Sequence, residues 1–432
     1  MSTSFLRSRR APARMVAVVL AIVGCTASSV ARADDACTSP ITRQSLVPCA
    51  LRGNLGVRSE QQATEVARAR RTAADTFLPS NPEVSFLFAR RNATGADATN
   101  WYVQLTQELH IAGQRGMRVK AAEAGVRAQE LRVVARSRDV AAGAWVAYFD
   151  LIAAEEAVRL SQRLESSGTR MAEVARARAD KGVASPVDAD VVEAAALKLR
   201  RDRAAAERSV AEARGALSIY LGTGAAVAAE GELAPLEGVE GAARAAAKAA
   251  PDERVDVRAL RAEASAFDLE ADAFRRQRVP NPRLSLYAQN DGFNERVLGV
   301  GIAIPIPLPQ PVGRTYAGEI AQANAQAARS NTEAARLSLL VRVEVQTALA
   351  AFTSRRDEVA TFTADRLVRA EQALTAIAQE LETGRLPVRD ALLTQQALID
   401  LLRASVEARR ALCVASVDLA RAAGIPLERG TP

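Results

Sequence analysis

Aromatic side chains make up only 4% of this 432-residue chain, which holds a single histidine, His110, and four cysteines. One histidine and scattered cysteines leave little from which to build a soft-metal site. Four cysteines are also too few for a disulfide framework in a chain of this length. No apolar run is long enough to cross a bilayer as a helix. Nor is there a glycine-rich phosphate loop with its lysine, a metal-spaced His and Glu set, or a Ser or Cys nucleophile with any base other than His110. Asp150, Glu155 and Glu156 fall on arginine-rich helical stretches, where solvated surface charge is the expectation. Catalytic, cofactor-binding and metal-ligating residues are therefore all read as none, and the chain as no enzyme. A surplus of acid is lacking too: the formal charge is +7. Five arginines, Arg7, Arg9, Arg10, Arg14 and Arg32, lie in the first 33 residues, which contain no Asp or Glu. Without them the 57 basic residues fall to 52 against 50 acidic ones, which removes the support for a nucleic-acid-binding surface.

What the N-terminus does have is the pattern of an export signal over residues 1–33: a basic region through Arg14, an apolar core over residues 15–24, then small residues. Two processing sites compete. Ala31-Arg32-Ala33 would release a mature chain at Asp34, whereas Ile22-Val23-Gly24-Cys25 would place a lipid anchor on Cys25. Cys37 and Cys49 stand twelve residues apart in a proline-containing leader, where an oxidising compartment permits a disulfide. Cys413, between Leu412 and Val414 on a helical stretch, reads as a small packed apolar residue.

Internal duplication organises the rest. Asn81-Pro82 is answered by Asn281-Pro282, Gly113-Gln114-Arg115 by Gly313-Arg314, Gly182-Val183-Ala184-Ser185-Pro186 by Gly384-Arg385-Leu386-Pro387, and Leu221-Gly222 by Ala423-Gly424. The landmarks keep their order and nearly their spacing. The expected organisation is a first repeat over residues 34–222, a linker over 223–250 and a second repeat over 251–432. Each repeat begins with a helix, 60–74 in the first copy, which prolines then stop. A strand pair follows. Val84, Phe86 and Phe88 alternate with Ser85, Leu87 and Ala89; after a polar loop over residues 92–100, Trp101, Val103 and Leu105 alternate with Tyr102, Gln104 and Thr106. In the second copy Leu284, Leu286 and Ala288 form one apolar row and Leu298, Val300, Ile302 and Ile304 the other. A half-buried soluble hairpin would show this alternation, and so would a tilted membrane-spanning strand. Four strands do not close a pore, but several chains together would.

After each strand pair comes a proline-free run, 114–180 and 314–382, long enough for a helix of about 100 Å. Helices of that length belong in a coiled coil or a wall of helices rather than a compact fold. On the return helix after Pro387, two adjoining apolar seams, one through Ile399, Leu402, Val406 and Cys413 and the other through Leu398, Leu401, Leu412 and Leu419, allow neighbours on both sides. At the first turn Gly182 suits a left-handed cap, Ser185 an N-cap, Pro186 the first helical position, and Asp188 the first turn of the return helix. At the second, Gly384, Pro387 and Asp390 hold equivalent places, with Leu386 where the first has its serine.

This duplicated plan resembles the outer-membrane efflux protein family typified by TolC. Within that family the stretch 298–308, followed by Gly313-Arg314, is similar to the branch serving heavy-metal resistance of the cobalt-zinc-cadmium type. The resemblance implies a mainly α fold with a small β part. Three chains would assemble a twelve-stranded outer-membrane β-barrel, four strands from each, continued by long helical hairpins as a periplasmic α-barrel. It implies a homotrimer in outer-membrane lipid that acts as the passive exit duct of a tripartite system. A periplasmic adaptor would dock at tips carrying Arg178, Gly182, Ser185, Pro186, Gly384 and Pro387, an inner-membrane proton-driven pump of the resistance-nodulation-division type would supply the energy, and heavy-metal cations would be the cargo. Asp188 and Asp390 match the acidic positions that constrict the closed end, although Leu393 stands where a further aspartate is common and Glu380 where the first tip has Arg178. Drug efflux, type I secretion, or a periplasmic adaptor role are the alternatives.

Overall fold

The computed structural model describes residues 37, 39–93, 96–246, 251–290, 295–309 and 311–427. The expected signal peptide, and Cys25 with it, lies outside them. The described chain is mainly helical with one small sheet. Helices α1 (Arg43–Gly53) and α2 (Leu55–Ala74) lead into strands β1 (Glu83–Ala93) and β2 (Ala96–Glu108), then α3 (Gln114–Asp180) and α4 (Pro186–Leu221). After a connection that contains α5 (Val239–Ala246), α6 (Val255–Gln277) leads into β3 (Arg283–Asn290) and β4 (Arg296–Ala303), then α7 (Ala317–Ala360), α8 (Ala364–Glu382) and α9 (Val388–Ala423).

The 67 residues of α3 form one unbroken helix with the expected bounds. The second long run departs from expectation. It starts at Ala317 instead of residue 314, with Tyr316 at φ 53° as its N-cap, so the left-handed position that Gly113 (φ 72°) supplies before α3 falls here on a tyrosine three residues past Gly313. It also breaks between α7 and α8. Thr361 and Phe362 donate to the carbonyls of Glu358 and Val359 in tight turns, Thr363 turns extended (ψ 146°), and Arg366 holds the Thr361 carbonyl at 3.2 Å. Two β-branched threonines around an aromatic are poor helix formers, and without proline or glycine the break carried no breaker signal. The polar loop expected over residues 92–100 is mostly strand: Asn92 pairs with Asp97 and Arg90 with Thr99, and an Arg90–Asp97 ion pair of 2.8 Å crosses the hairpin. Helix α1 extends through Pro48 where only a leader was expected, and α2 begins five residues before residue 60. Asn54 explains that start, since its side-chain oxygen accepts from the amides of Gly56 (2.9 Å) and Val57 (3.3 Å).

The core is strung along the helices as clusters. The largest centres on Trp145, Tyr148 and Phe149, which are fully buried, and it gathers α1, the ends of α4 and α9, and the connection after α4. Arg43 lies over the Trp145 and Phe149 rings at 5.5 and 5.8 Å and donates to the carbonyls of Ala234 and Pro235. The Tyr148 hydroxyl donates to the Glu230 carbonyl at 2.8 Å. Cys37 and Cys49 form a disulfide (Cα–Cα 5.5 Å) at the edge of this cluster, and Cys413 is packed within it. Gly53 and Gly222 meet backbone to backbone: a Cβ on Gly53 would fall 1.9 Å from the Leu221 carbonyl oxygen. A second cluster lines α3, α4, α8 and α9 toward the turns, through Met171, Val192, Ile377, Leu381 and Ile399.

Asp150, Glu155 and Glu156 are not simple solvated charges. They bridge helices, to Arg410 (2.8 Å), Arg214 (3.1 Å) and Arg409 (2.6 Å) in turn, with side chains only 19–31% exposed. Their partners lie 59 to 260 residues away, so packing rather than sequence proximity creates the pairs.

Candidate functional site

Two features stand out: the sheet and the two turn tips. The sheet is antiparallel throughout in the order β1-β2-β3-β4, and β2 pairing with β3 joins the first repeat to the second. Side chains opposite one another in such a sheet point to the same face. One face therefore carries the rows Val84-Leu105-Leu286-Val300 and Phe86-Val103-Ala288-Leu298. The other carries Glu83-Thr106-Ser285-Gly301 and Ser85-Gln104-Tyr287-Gly299. The apolar face is uncovered: Phe86 is 66% exposed, Val300 67%, and Ile302 71%. An open apolar face with two bare edges is an association surface, not the surface of a finished soluble domain. On the polar face, a Cβ on Gly299 would sit 2.3 Å from the Tyr287 ring, so glycine there lets the tyrosine lie across β4.

Where the sheet meets the helices, the repeated Asn-Pro landmark is put to asymmetric use. Gln114, buried at the start of α3, accepts from the Ala112 amide and donates to Asn281 Oδ1 at 3.0 Å; Asn281 Nδ2 in turn donates to Glu108 Oε1 at 2.7 Å. This knot ties β2 and α3 of the first repeat to β3 of the second. Sequence reading marked Asn281 as a landmark but missed its role, because the partners of the knot are some 170 residues apart. Close by, His110 Nε2 lies 3.0 Å from the Arg118 guanidinium, and burial with that positive neighbour lowers its pKa.

The tips are built as their residues suggest. At the first, Gly182 adopts φ 68°, its amide and that of Val183 cap the carbonyls of Ala179 and Arg178, and Ser185 Oγ accepts from the Val187 amide at 3.2 Å ahead of Pro186. At the second, Gly384 adopts φ 74° with the same double cap to Leu381 and Glu380, and Pro387 itself is the N-cap of α9. Asp188 and Asp390 are exposed in the first turns of α4 and α9, with no ion-pair partner among the described residues. Arg178 reaches across from α3 to donate to the Leu381 carbonyl at the end of α8. The guanidinium lies 3.5 Å from where a Cβ of Gly384 would be. Glu380, standing where an arginine would give the reciprocal contact, instead faces Arg385 at 3.8 Å.

No helix among the described residues is long and apolar enough to cross a membrane, and no His, Cys, Asp and Glu group among them is arranged to hold a metal ion. No curated protein matches this chain. Several solved structures share its fold. CusC is 17% identical over 89% of this chain and 92% of its own (TM-score 0.71), and a membrane protein from Pseudomonas aeruginosa is 20% identical over 88% and 92% (TM-score 0.71). The Neisseria gonorrhoeae MtrE outer membrane channel, solved in its open state, is 19% identical over 90% of each chain (TM-score 0.69). Residues 46–223 match the outer membrane efflux protein family, and the fold shared with the solved structures extends across both halves of the chain.

Proposed function

We propose that this protein is the outer-membrane exit duct of a tripartite efflux system, working as a homotrimer. The observation that carries the reading is a sheet with one apolar and one polar face, open at both edges, set on a helical part whose longest helix, α3, runs about 100 Å. Such a unit cannot complete a lumen alone, and closure by further copies removes both edges. The apolar face then meets lipid and the polar face water, as in an outer-membrane barrel. The chain performs no chemistry. A periplasmic adaptor engages the tips at Arg178, Gly182, Ser185, Pro186, Gly384 and Pro387, and an inner-membrane proton-driven pump supplies the energy.

The cargo we propose is heavy-metal cations. The supporting feature is the pair Asp188 and Asp390, without an ion-pair partner among the described residues and in the first helical turns after the tips; three copies of Asp390 would form a ring that attracts cations. Asp390→Asn should lower cation selectivity in planar bilayers, and unchanged selectivity would remove the ring from the account. For the duct itself, detergent extracts of outer membranes should contain a trimer that dissociates only on heating, and a deletion strain should become sensitive to zinc, cobalt, cadmium or copper. Recovery of the folded protein wholly in the soluble periplasmic fraction would refute the duct. Sensitivity to drugs alone would leave the duct standing and replace the cargo.

A further inference from the structure

The apolar face of the sheet does not stop where the strands do. Gln107, Leu284 and Ile302 form its row nearest the helices. Two residues past Gln107, Leu109 falls on the same face, and its amide donates to the Pro282 carbonyl at 2.9 Å, which carries the β2–β3 pairing one step beyond the strands. Past Ile302 the alternation of β4 continues through Ile304 and Ile306. Ile111, Ile304 and Ile306 are 62%, 64% and 82% exposed, as open as the sheet residues themselves. The crossovers from sheet to helix, 109–113 in the first repeat and 304–316 in the second, therefore extend the apolar surface toward the helices.

An apolar segment outside a sheet has a further requirement in lipid: its amides must find acceptors or be absent, because no water is there to take them. The two crossovers meet it differently. In the first, Leu109 is bonded as described and the Ala112 amide donates to Gln114 Oε1 at 2.9 Å. In the second, residues 305, 307, 309 and 311 are all proline and carry no N–H, while the amides of Val312 and Gly313 both reach the Pro309 carbonyl, at 3.1 and 2.9 Å. A turn in water would need neither device, since solvent would take every amide.

A band of arginines follows on the helix side. Arg115 stands two residues past Gly113 and pairs with Asp75. Arg278 donates to the Thr315 carbonyl at 2.9 Å, beside the second crossover, and Arg314 pairs with Glu319 while lying 4.6 Å over the Tyr316 ring. Apolar side chains followed by arginine and tyrosine match the order of environments in a leaflet, acyl chains and then phosphates.

Resting on the reading of the sheet as part of an outer-membrane barrel, we propose that the two crossovers form a collar seated in the phospholipid leaflet. Leu109, Ile111, Ile304 and Ile306 lie among acyl chains, and Arg115, Arg278 and Arg314 lie at the level of the phosphates. The membrane boundary then runs on the helix side of the strand ends, and lipid grips the same joint that Gln114, Asn281 and Glu108 tie from within.

Single cysteines in the full-length protein read the depth of each position. Cys413 is buried and Cys37 is bonded to Cys49, so among the described residues an introduced thiol alone takes an environment-sensitive fluorophore. Ile111→Cys and Ile306→Cys, in vesicles of phosphatidylethanolamine and phosphatidylglycerol, should be quenched about threefold more by a phospholipid spin-labelled near its headgroup than by one labelled near the chain end, and little by aqueous iodide. Val300→Cys, in the sheet, should favour the deep label, and Asp357→Cys, exposed on α7, should respond to iodide alone. Labels at 111 and 306 that behave like the one at 357 overturn the collar and leave the membrane-spanning sheet in place. Labels there that no quencher reaches overturn it as well, since protein then covers the crossovers. Iodide quenching of Val300→Cys would instead sink the membrane reading of the sheet. Should the variants fail to assemble, wild-type protein in vesicles with a photoactivatable phospholipid answers the same question: adducts on residues 109–112 and 304–312 are expected, and adducts confined to the strands refute the collar.

Discussion

At the residue scale, several side chains have consequences that can be measured singly. Burial pushes the Cys413 thiol up to about 12, so almost none of it is thiolate at neutral pH. An alkylating reagent at pH 8 should leave Cys413 unlabelled in the folded protein and label it once guanidinium unfolds the chain; rapid labelling of the native protein would show that the central cluster opens. The Cys37–Cys49 disulfide closes a short loop onto the same cluster. Cys37→Ser with Cys49→Ser should lower stability by about 2–3 kcal/mol, read from the shift in denaturant midpoint. Arg178 ties the two tips together through a backbone carbonyl. Charge-assisted hydrogen bonds of this kind contribute about 1.5–3 kcal/mol. Arg178→Ala should therefore speed proteolysis at the tips while leaving cleavage near the sheet unchanged.

The two helix turns make a matched comparison at the scale of the element. Ser185 caps α4 through its side chain, whereas Thr363 starts α8 with no side-chain cap bond. Ser185→Ala should cost about 1 kcal/mol, and Thr363→Ala a small fraction of that, in thermal unfolding. Gly182 and Gly384 sit at left-handed φ, so alanine at either should cost about 1 kcal/mol through backbone strain alone. The unequal long helices belong to the same scale. α3 runs unbroken because alanine, arginine and glutamate favour helix throughout it, while α7 and α8 part where two threonines bracket Phe362.

For the whole molecule, the exposed apolar face of the sheet and the bare edges of β1 and β4 make the single chain an unfinished object. Diluted from detergent into plain buffer it should aggregate, and refolding in detergent should yield the proposed trimer, as followed by light scattering. Heating should dissociate that trimer before the helices melt, because the ion pairs and clusters that join α3, α4 and α9 are internal to one copy.

Much of this is legible in the amino-acid sequence. Local patterns carry their own instructions: period-two alternation marked the strands, the absence of proline over residues 114–180 marked α3, and Gly182, Ser185 and Pro186 wrote out a turn in residues whose backbone preferences are intrinsic. The repeated landmarks disclosed the duplication. Tertiary structure alone decided what depends on residues distant in the chain: that Asp150, Glu155 and Glu156 are bridges, that Asn281 is the knot between repeats, that Arg178 spans the tips, and that β2 rather than another strand pairs with β3. Those contacts arise from the approach of segments a hundred or more residues apart, and no local preference encodes the partner, only the readiness of each segment to find one.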